Sequence, residues 1–334
     1  MTKLRWGLLS TANINRRLIP AIRASARGEL VAVASRQRET AESYATKWNI
    51  PHAFGSYEEL LASDEVDVIY NPLPNHLHAE WSIRAMKAGK HVLCEKPMAL
   101  TLAEVDAMIE TAEKTGRVLA EAFMYRHHPQ TKIVGEWVQN GRLGQITLVR
   151  ATFNFAFRSR QNIRLVPEYG GGCLWDVGVY PVSFAQYVMG SSPTWVLGDQ
   201  WLGDTGVDED FAGQLHYQDG RMAQISSSFR TPFYTYAEVI GTEGRLYLNR
   251  PFVGVNDAER QLVFYPKDGT PEVIPVPEQE LYLGEVEDMH AAILDGKPPY
   301  LTLAETRNHI RTVLALYESA RTKQVVWLTD QEEA

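Results

Sequence analysis

Cysteine is nearly absent, with Cys94 and Cys173 the only two in 334 residues. Two thiols cannot build a disulfide framework, and so few suit a reducing cytosol. No apolar run approaches the ~20 residues that span a bilayer. The opening MTKLRWGLLSTA carries Arg5 and lacks the apolar core of a secretory signal. Positive charge is also short: 33 Lys+Arg stand against 41 Asp+Glu, a net charge of −8. That field repels nucleic acid and anionic membrane, so neither is expected as a partner. Repeats, low-complexity tracts and Gly/Ser linkers are missing. So are the G-x-S-x-G elbow, the P-loop and any zinc-ligand spacing among His76, His78, His91 and Cys94. The expectation is a cytoplasmic protein without a metal, acting on a small molecule.

The composition, 45% hydrophobic and 22% charged, is that of an ordinary globular protein. The length exceeds the ~250–300 residues at which one core stops growing, so two domains are expected. In the first part, short apolar runs alternate with helical patterns, as in βαβ units around a parallel sheet. Strands are predicted at Leu4–Leu9, Glu29–Ser35, Val66–Tyr70, His91–Glu95 and Val118–Ala122. Helices fall at Asn13–Ala26, Glu39–Trp48, Asn75–Ala88 and Thr101–Lys114. After about Tyr125 the pattern alternates with period two, in Gln145–Phe157 and in Phe211–Tyr217 joined to Met222–Phe229 through Asp219-Gly220. Helices are predicted at Cys173–Met189, Gly284–Leu294 and Leu303–Thr322. The fold class is therefore α/β: a Rossmann domain over 1–124, then an α/β domain over 125–334 with a mostly antiparallel sheet.

Three places carry the chemistry. The turn Gly7-Leu8-Leu9-Ser10-Thr11-Ala12, with Asn13 at the following helix, lies where a dinucleotide fold needs its pyrophosphate turn. Gly7 and Ala12 match the first and third positions of G-x-G-x-x-G/A, Leu9 replaces the second glycine, and Ser10 and Thr11 add hydroxyl donors. At the end of the second strand stand Ser35-Arg36 rather than the Asp or Glu that binds a ribose 2′-hydroxyl, which favours a 2′-phosphate and hence NADP. Leu73, Asn75, His78, Glu95 and Lys96 lie where further strands end, the usual ligand position of an open α/β sheet. In the second half, Gly170–Tyr180 opens a helix in which Asp176 and Tyr180 are four apart. An interface aromatic and a first-turn carboxylate are equally good local readings of those two residues.

Taken together and in this order, the turn Gly7–Ala12, the run Pro74-Asn75-His76-Leu77-His78, Glu95-Lys96-Pro97 and Gly170–Tyr180 resemble the Gfo/Idh/MocA oxidoreductase family. The likeness spans nearly the whole chain. It implies a Rossmann domain followed by a domain whose large open sheet commonly forms a homodimer or homotetramer. It makes Lys96 the shared catalytic residue and brings Asp176 and Tyr180 into the catalytic set, with Phe155 and Trp175 beside them as substrate contacts. Inositol dehydrogenases have His where this chain has Tyr180. That departure, with Ser35-Arg36, is closer to the branch of NADP-dependent D-xylose dehydrogenase and dimeric dihydrodiol dehydrogenase.

The implied reaction is hydride transfer between NADP and a hydroxyl-bearing carbon of a sugar-like molecule, with C1 of an aldose the expected position. A departing hydride requires the hydroxyl on that carbon to lose its proton, which a positioned base and a cation assist. Lys96 and Tyr180 are both candidates for that proton. The alternatives are a dihydrodiol dehydrogenase, a keto-sugar reductase, a non-catalytic NADP-binding regulator, and a hydro-lyase or glycosidase using the nucleotide transiently.

Overall fold

The computed structural model describes residues 3–157, 159–253 and 259–328. By its contacts the chain divides into two units: Met1–His127 with Glu280–Arg307, and His128–Gln279 with Asn308–Ala334. A single boundary near residue 125 does not describe this, because Glu280–Arg307 returns to the first unit. Trp6 and His290 show why: the buried indole Nε1 donates to His290 Nε2 at 3.0 Å, and Ser25 Oγ meets the other ring nitrogen at 3.1 Å.

In the first unit the elements run β1 (Leu4–Leu8), α1 (Asn15–Ala24), β2 (Gly28–Ala34), α2 (Arg38–Trp48), β3 (His52–Phe54) and α3 (Tyr57–Ala62). They continue with β4 (Val68–Asn71), α4 (His78–Lys87), β5 (His91–Glu95), α5 (Leu102–Thr115) and β6 (Leu119–Ala122). The sheet order is β3-β2-β1-β4-β5-β6, all parallel. This is the doubly wound order, whose direction reverses between β1 and β4 and opens a ligand crevice at their carboxyl ends. The central strands are largely apolar, as in a parallel sheet covered by helices on both faces. Thr101 closes a capping box with Glu104 at the start of α5, and Gly116 ends the helix with φ 63°.

The second unit begins with α6 (Pro129–Gln139). His128 caps it by accepting from Gln130 N at 3.2 Å, so the His127-His128 pair marks a helix start. Then come β7 (Ile146–Asn154), a π-helical turn at Leu174–Gly178, α7 (Val179–Met189), β8 (Trp195–Leu202), β9 (Asp208–His216) and β10 (Met222–Ser228). After them follow β11 (Tyr234–Gly241), β12 (Gly244–Asn249), β13 (Leu262–Pro266) and β14 (Glu272–Ile274). Helix α8 (Leu283–Leu294) belongs to the returning segment, α9 (Leu303–Thr322) follows it, and β15 (Val326–Trp327) is the last strand. The nine-stranded sheet has the order β14-β13-β12-β11-β7-β10-β9-β8-β15. Among the described residues, β7–β10 is its one parallel pairing and the others are antiparallel. The expected turn at Asp219-Gly220 joins β9 to β10, with Gly220 at φ 82° donating to Tyr217 O.

Candidate active site

The turn after β1 is held by side-chain hydrogen bonds and leads into an uncapped helix start. Ser10 Oγ accepts from Ala12 N at 3.2 Å, and Asn15, buried inside the turn, donates from Nδ2 to Ser10 O at 2.7 Å. Thr11 and Ala12 are half-buried and Asn13 is exposed. Helix α1 has no side-chain cap and no acid in its first turn, where Arg16 and Arg17 add positive charge. An uncapped helix start of that charge is complementary to a pyrophosphate. Leu9 replaces the second glycine because its side chain is wholly buried and its N–H donates to Tyr70 O at 3.0 Å. Gly7 is close-packed: a Cβ there would lie 3.0 Å from Val66. At the end of β2, Ser35 is half-buried and Arg36 exposed, while Arg38 is held by Glu59 at 2.7 Å. Arg36 and the Ser35 hydroxyl suit a 2′-phosphate, so these residues fit NADP.

Lys96 follows β5, half-buried, and its peptide bond to Pro97 is cis. Four side chains, those of Tyr70, Glu95, Glu121 and His78, hold this loop. Tyr70, at the end of β4, donates to Glu95 Oε1 at 2.5 Å, and Glu95 Oε2 accepts from Lys96 N at 3.3 Å. Glu121, on the neighbouring β6, accepts from Met98 N at 2.8 Å. His78 lies wholly buried between two loops, with Nδ1 2.8 Å from Pro97 O and Nε2 2.7 Å from Leu73 O. Burial pushes its imidazole down to about 4. The ring lies between two backbone carbonyls, one of which accepts its N–H in the neutral form, so this side chain helps hold the two loops together. Leu73 is buried with its N–H donating to Asn71 Oδ1 at 3.3 Å, and Asn75 is half-buried. Burial raises the Glu121 carboxyl to about 7, against the opposing hydrogen bond from Met98. It also drives the Tyr70 phenol well up, with the neighbouring Glu95 carboxylate adding to the effect.

In the second unit the glycines before the π-helical turn allow close approach. A Cβ on Gly171 would lie 2.6 Å from Arg164 O, and one on Gly172, at φ 124°, would lie 2.0 Å from Asp208 Oδ1. π-Turns inside helices recur at functional sites because the extra residue re-aims its neighbours. Asp176 lies in that turn, and Arg164 donates from Nε to its Oδ2 at 2.6 Å. Tyr180 follows in the first turn of α7, buried, with its ring 5.5 Å from Phe153 and 5.7 Å from Phe252. Phe155 is half-buried in a cluster with Phe157 and Phe229. Trp175 is buried against Tyr317, with ring centroids 5.5 Å apart.

Sequence reasoning missed Asn15, Tyr70, Glu121, Arg164, Asp208 and Tyr317. Tyr70 ends a predicted strand and Arg164 precedes the glycine run, so position offered a faint signal for both; Glu121 inside a strand and the remote Asp208–Tyr317 pair offered none. Among the described residues, no group of three or more His, Cys, Asp or Glu is placed to hold a metal ion, and no helix is long and apolar enough to cross a membrane.

Residues 4–123 match the family model described as an oxidoreductase family with an NAD-binding Rossmann fold, and residues 131–247 match the GFO/IDH/MocA C-terminal domain. The chain is 39% identical over 329 residues to D-xylose 1-dehydrogenase (NADP(+)) 2 of Haloferax volcanii, covering 97% of this chain and 100% of that protein. It is 34% identical over 248 residues to trans-1,2-dihydrobenzene-1,2-diol dehydrogenase of Xenopus tropicalis, covering 72% and 73%. Among solved structures it resembles KijD10, a 3-ketoreductase from Actinomadura kijaniata in complex with NADP and TDP-benzene. The TM-score is 0.89 at 29% identity, covering 95% of this chain and 98% of that one.

Proposed function

The chain belongs to the Gfo/Idh/MocA oxidoreductase family, and on that premise we propose that it oxidises C1 of an aldopyranose, with D-xylose the first sugar to test. It is an NADP-dependent oxidoreductase acting on CH–OH groups. The observation that carries the finer reading is the full-length match to a D-xylose 1-dehydrogenase at 39% identity.

Gly7, Ser10, Thr11, Ala12 and Asn13 would hold the pyrophosphate side of NADP, and Ser35 and Arg36 its 2′-phosphate. Leu73, Asn75, Glu95 and Lys96 line the nicotinamide side in this reading. NADP, when bound, supplies the acceptor and donor of hydride, which is the redox chemistry the side chains lack. Lys96 and Tyr180 do the remaining work at the hydroxyl. One takes its proton as the carbonyl forms and the other donates to the oxygen, which keeps a free alkoxide from accumulating. Asp176, oriented by Arg164, holds neighbouring substrate hydroxyls. The aromatic residues Phe155 and Trp175 are proposed to offer apolar surface to the sugar ring. The open sheet of the second unit is proposed to pair copies of the chain into a homodimer or homotetramer.

The test is a panel of aldoses, polyols and trans-dihydrodiols with NADP+ and with NAD+, followed at 340 nm as about one NADPH per turnover. Reduction of NADP+ by aldopyranoses supports the reading. Activity confined to dihydrodiols favours the second reading, which rests on the Xenopus relative. Activity only in the reductive direction with keto-sugars favours the third, which rests on the ketoreductase.

A further inference from the structure

Asp208, the first residue of β9, is buried, and its carboxylate accepts from three donors. Oδ2 accepts from Leu174 N at 2.7 Å and from Cys173 Sγ at 3.1 Å, and Oδ1 accepts from Tyr317 OH at 2.8 Å. Tyr317 OH in turn accepts from Trp175 N at 3.3 Å. Leu174 and Trp175 are the first two residues of the π-helical turn that leads through Asp176 to Tyr180. The residue at the cap position, Cys173, makes no side-chain cap bond. The helix start is thus satisfied by a carboxylate and a phenol from two distant elements. Backbone N–H groups at a helix start need such acceptors when buried. Gly172 admits the carboxylate, since any side chain there would collide with it.

We propose that Asp208, relayed by Tyr317, is the positioning residue that sets the register of the Asp176–Tyr180 helix, and that it does so only as the carboxylate. The proposal rests on the assignment of Asp176 and Tyr180 to substrate chemistry. A carboxylate accepts all three donors at once, whereas the protonated acid has a hydroxyl of its own to place among neighbours that also donate. Burial raises Asp208 to about 6. The titratable groups facing it are the Cys173 thiol and the Tyr317 phenol, both pushed well up by burial. Asp210, two residues along β9, accepts from Arg230 at 2.6 Å, and Glu209 is paired with Arg160 at 2.6 Å. The cations in that neighbourhood are therefore engaged by other carboxylates.

The experiment is the pH profile of kcat/KM for the sugar in the wild type, Asp208→Asn and Tyr317→Phe, with NADP+ affinity measured on each. The wild type should lose activity as pH falls through about 6. Asp208→Asn mimics the protonated acid, so it should be low at pH 7.5 and flat through that range. Displacement of reacting groups by about 1 Å gives losses of order 10²-fold, so a loss of roughly ten- to a hundredfold is expected. Tyr317→Phe removes a donor from the carboxylate and should move the acid limb to higher pH. NADP+ affinity should change less than about twofold, because the cofactor residues lie in the first unit. A limb that stays in place in both variants overturns the proposal. If Asp208→Asn does not fold, Tyr317→Phe decides alone: an unmoved limb overturns it. Amide hydrogen exchange across Cys173–Tyr180, faster at Leu174 and Trp175 in either variant, reads the hold without any substrate, and unchanged exchange overturns it. Tyr180→Phe assayed in parallel separates the two claims. Near-normal turnover there refutes the catalytic assignment, while the exchange result still judges Asp208.

Discussion

Arg164 and Asp176 form an ion pair, the guanidinium Nε donating to the carboxylate Oδ2 at 2.6 Å. The pair links the loop before the glycines to the turn after them. Removing the cation should therefore loosen the carboxylate without emptying the core, since Arg164 itself is exposed. For Arg164→Ala the expected outcome is a rise in KM for the sugar of up to about fivefold, because partly exposed pairs are worth at most ~1 kcal/mol. Steady-state kinetics checks this; an unchanged KM with a weakened NADP+ would assign Arg164 elsewhere.

Cofactor choice should reside in Arg36. Arg36→Asp removes a charge-assisted donor and adds repulsion toward a 2′-phosphate. It should weaken NADP+ by roughly ten- to a hundredfold, from ~1.5–3 kcal/mol per such bond, and leave NAD+ nearly unaffected. Fluorescence titration with both nucleotides reads the ratio. Equal affinities in the unaltered protein would remove the role from Arg36.

Lys96→Met and Tyr180→Phe should each lower kcat by about 10²–10⁴-fold, the usual contribution of positioned proton transfer, with NADP+ binding retained. Acting as a unit, the two losses should not add: the double variant should be little worse than the weaker single one. If Tyr180→Phe turns over near normally, Lys96 alone handles the proton.

Glu121 makes stability depend on pH in a defined sense. Its carboxyl ordinarily titrates at 4.5 and burial raises it to about 7 in the folded chain. The folded state therefore binds the proton more tightly, and the contribution is favourable at low pH and lost as pH rises from 4.5 through 7. The loss is roughly 3 kcal/mol, at about 1.4 for each pH unit between the two values. Glu121→Gln keeps an acceptor for Met98 N and removes the titration. Its melting temperature should match the wild type below that window and exceed it above. A difference that does not vary with pH would refute this account.

Association through the open sheet has its own readout. On β11 and β12, Tyr234, Tyr236 and Tyr247 lie on the less buried face, with ring centroids 5.3 and 6.1 Å apart between successive pairs. Light scattering should show a dimer or tetramer, and Tyr236→Asp should shift it toward monomer. A monomeric wild type at micromolar concentration would end that proposal.

Much of the scaffold was legible because its signals are local. β5 was expected at His91–Glu95 and α9 at Leu303–Thr322, and both have those limits. The helix is marked by its 3.6-residue period, and the strand by a short apolar run too brief for a helix. β3 went unseen because His52–Phe54 has three residues, none of them buried, and so no pattern to read. The expected helix Cys173–Met189 exists, yet its first residues adopt a π-helical turn that periodicity does not encode.

The same division runs through the site. Gly7 and Arg36 were named from turn chemistry and a strand end, and Lys96 from a strand end, all of which are local. The catalytic roles of Lys96, Asp176 and Tyr180 came from the family resemblance, since local signals alone left Asp176 and Tyr180 open. The groups that hold those residues were not named. Met98 N meets Glu121 across neighbouring strands, and Tyr317 meets Asp208 across 109 residues. His78 was read from its position at a strand end; that its ring lies between the carbonyls of Leu73 and Pro97 is a long-range arrangement the sequence did not show. The sequence by itself determined which elements form and where the chemical groups sit along them, because propensity and periodicity act over a few residues. Only the tertiary structure decided which buried donor meets which acceptor, because that depends on strand order and on a segment, Glu280–Arg307, returning from far along the chain.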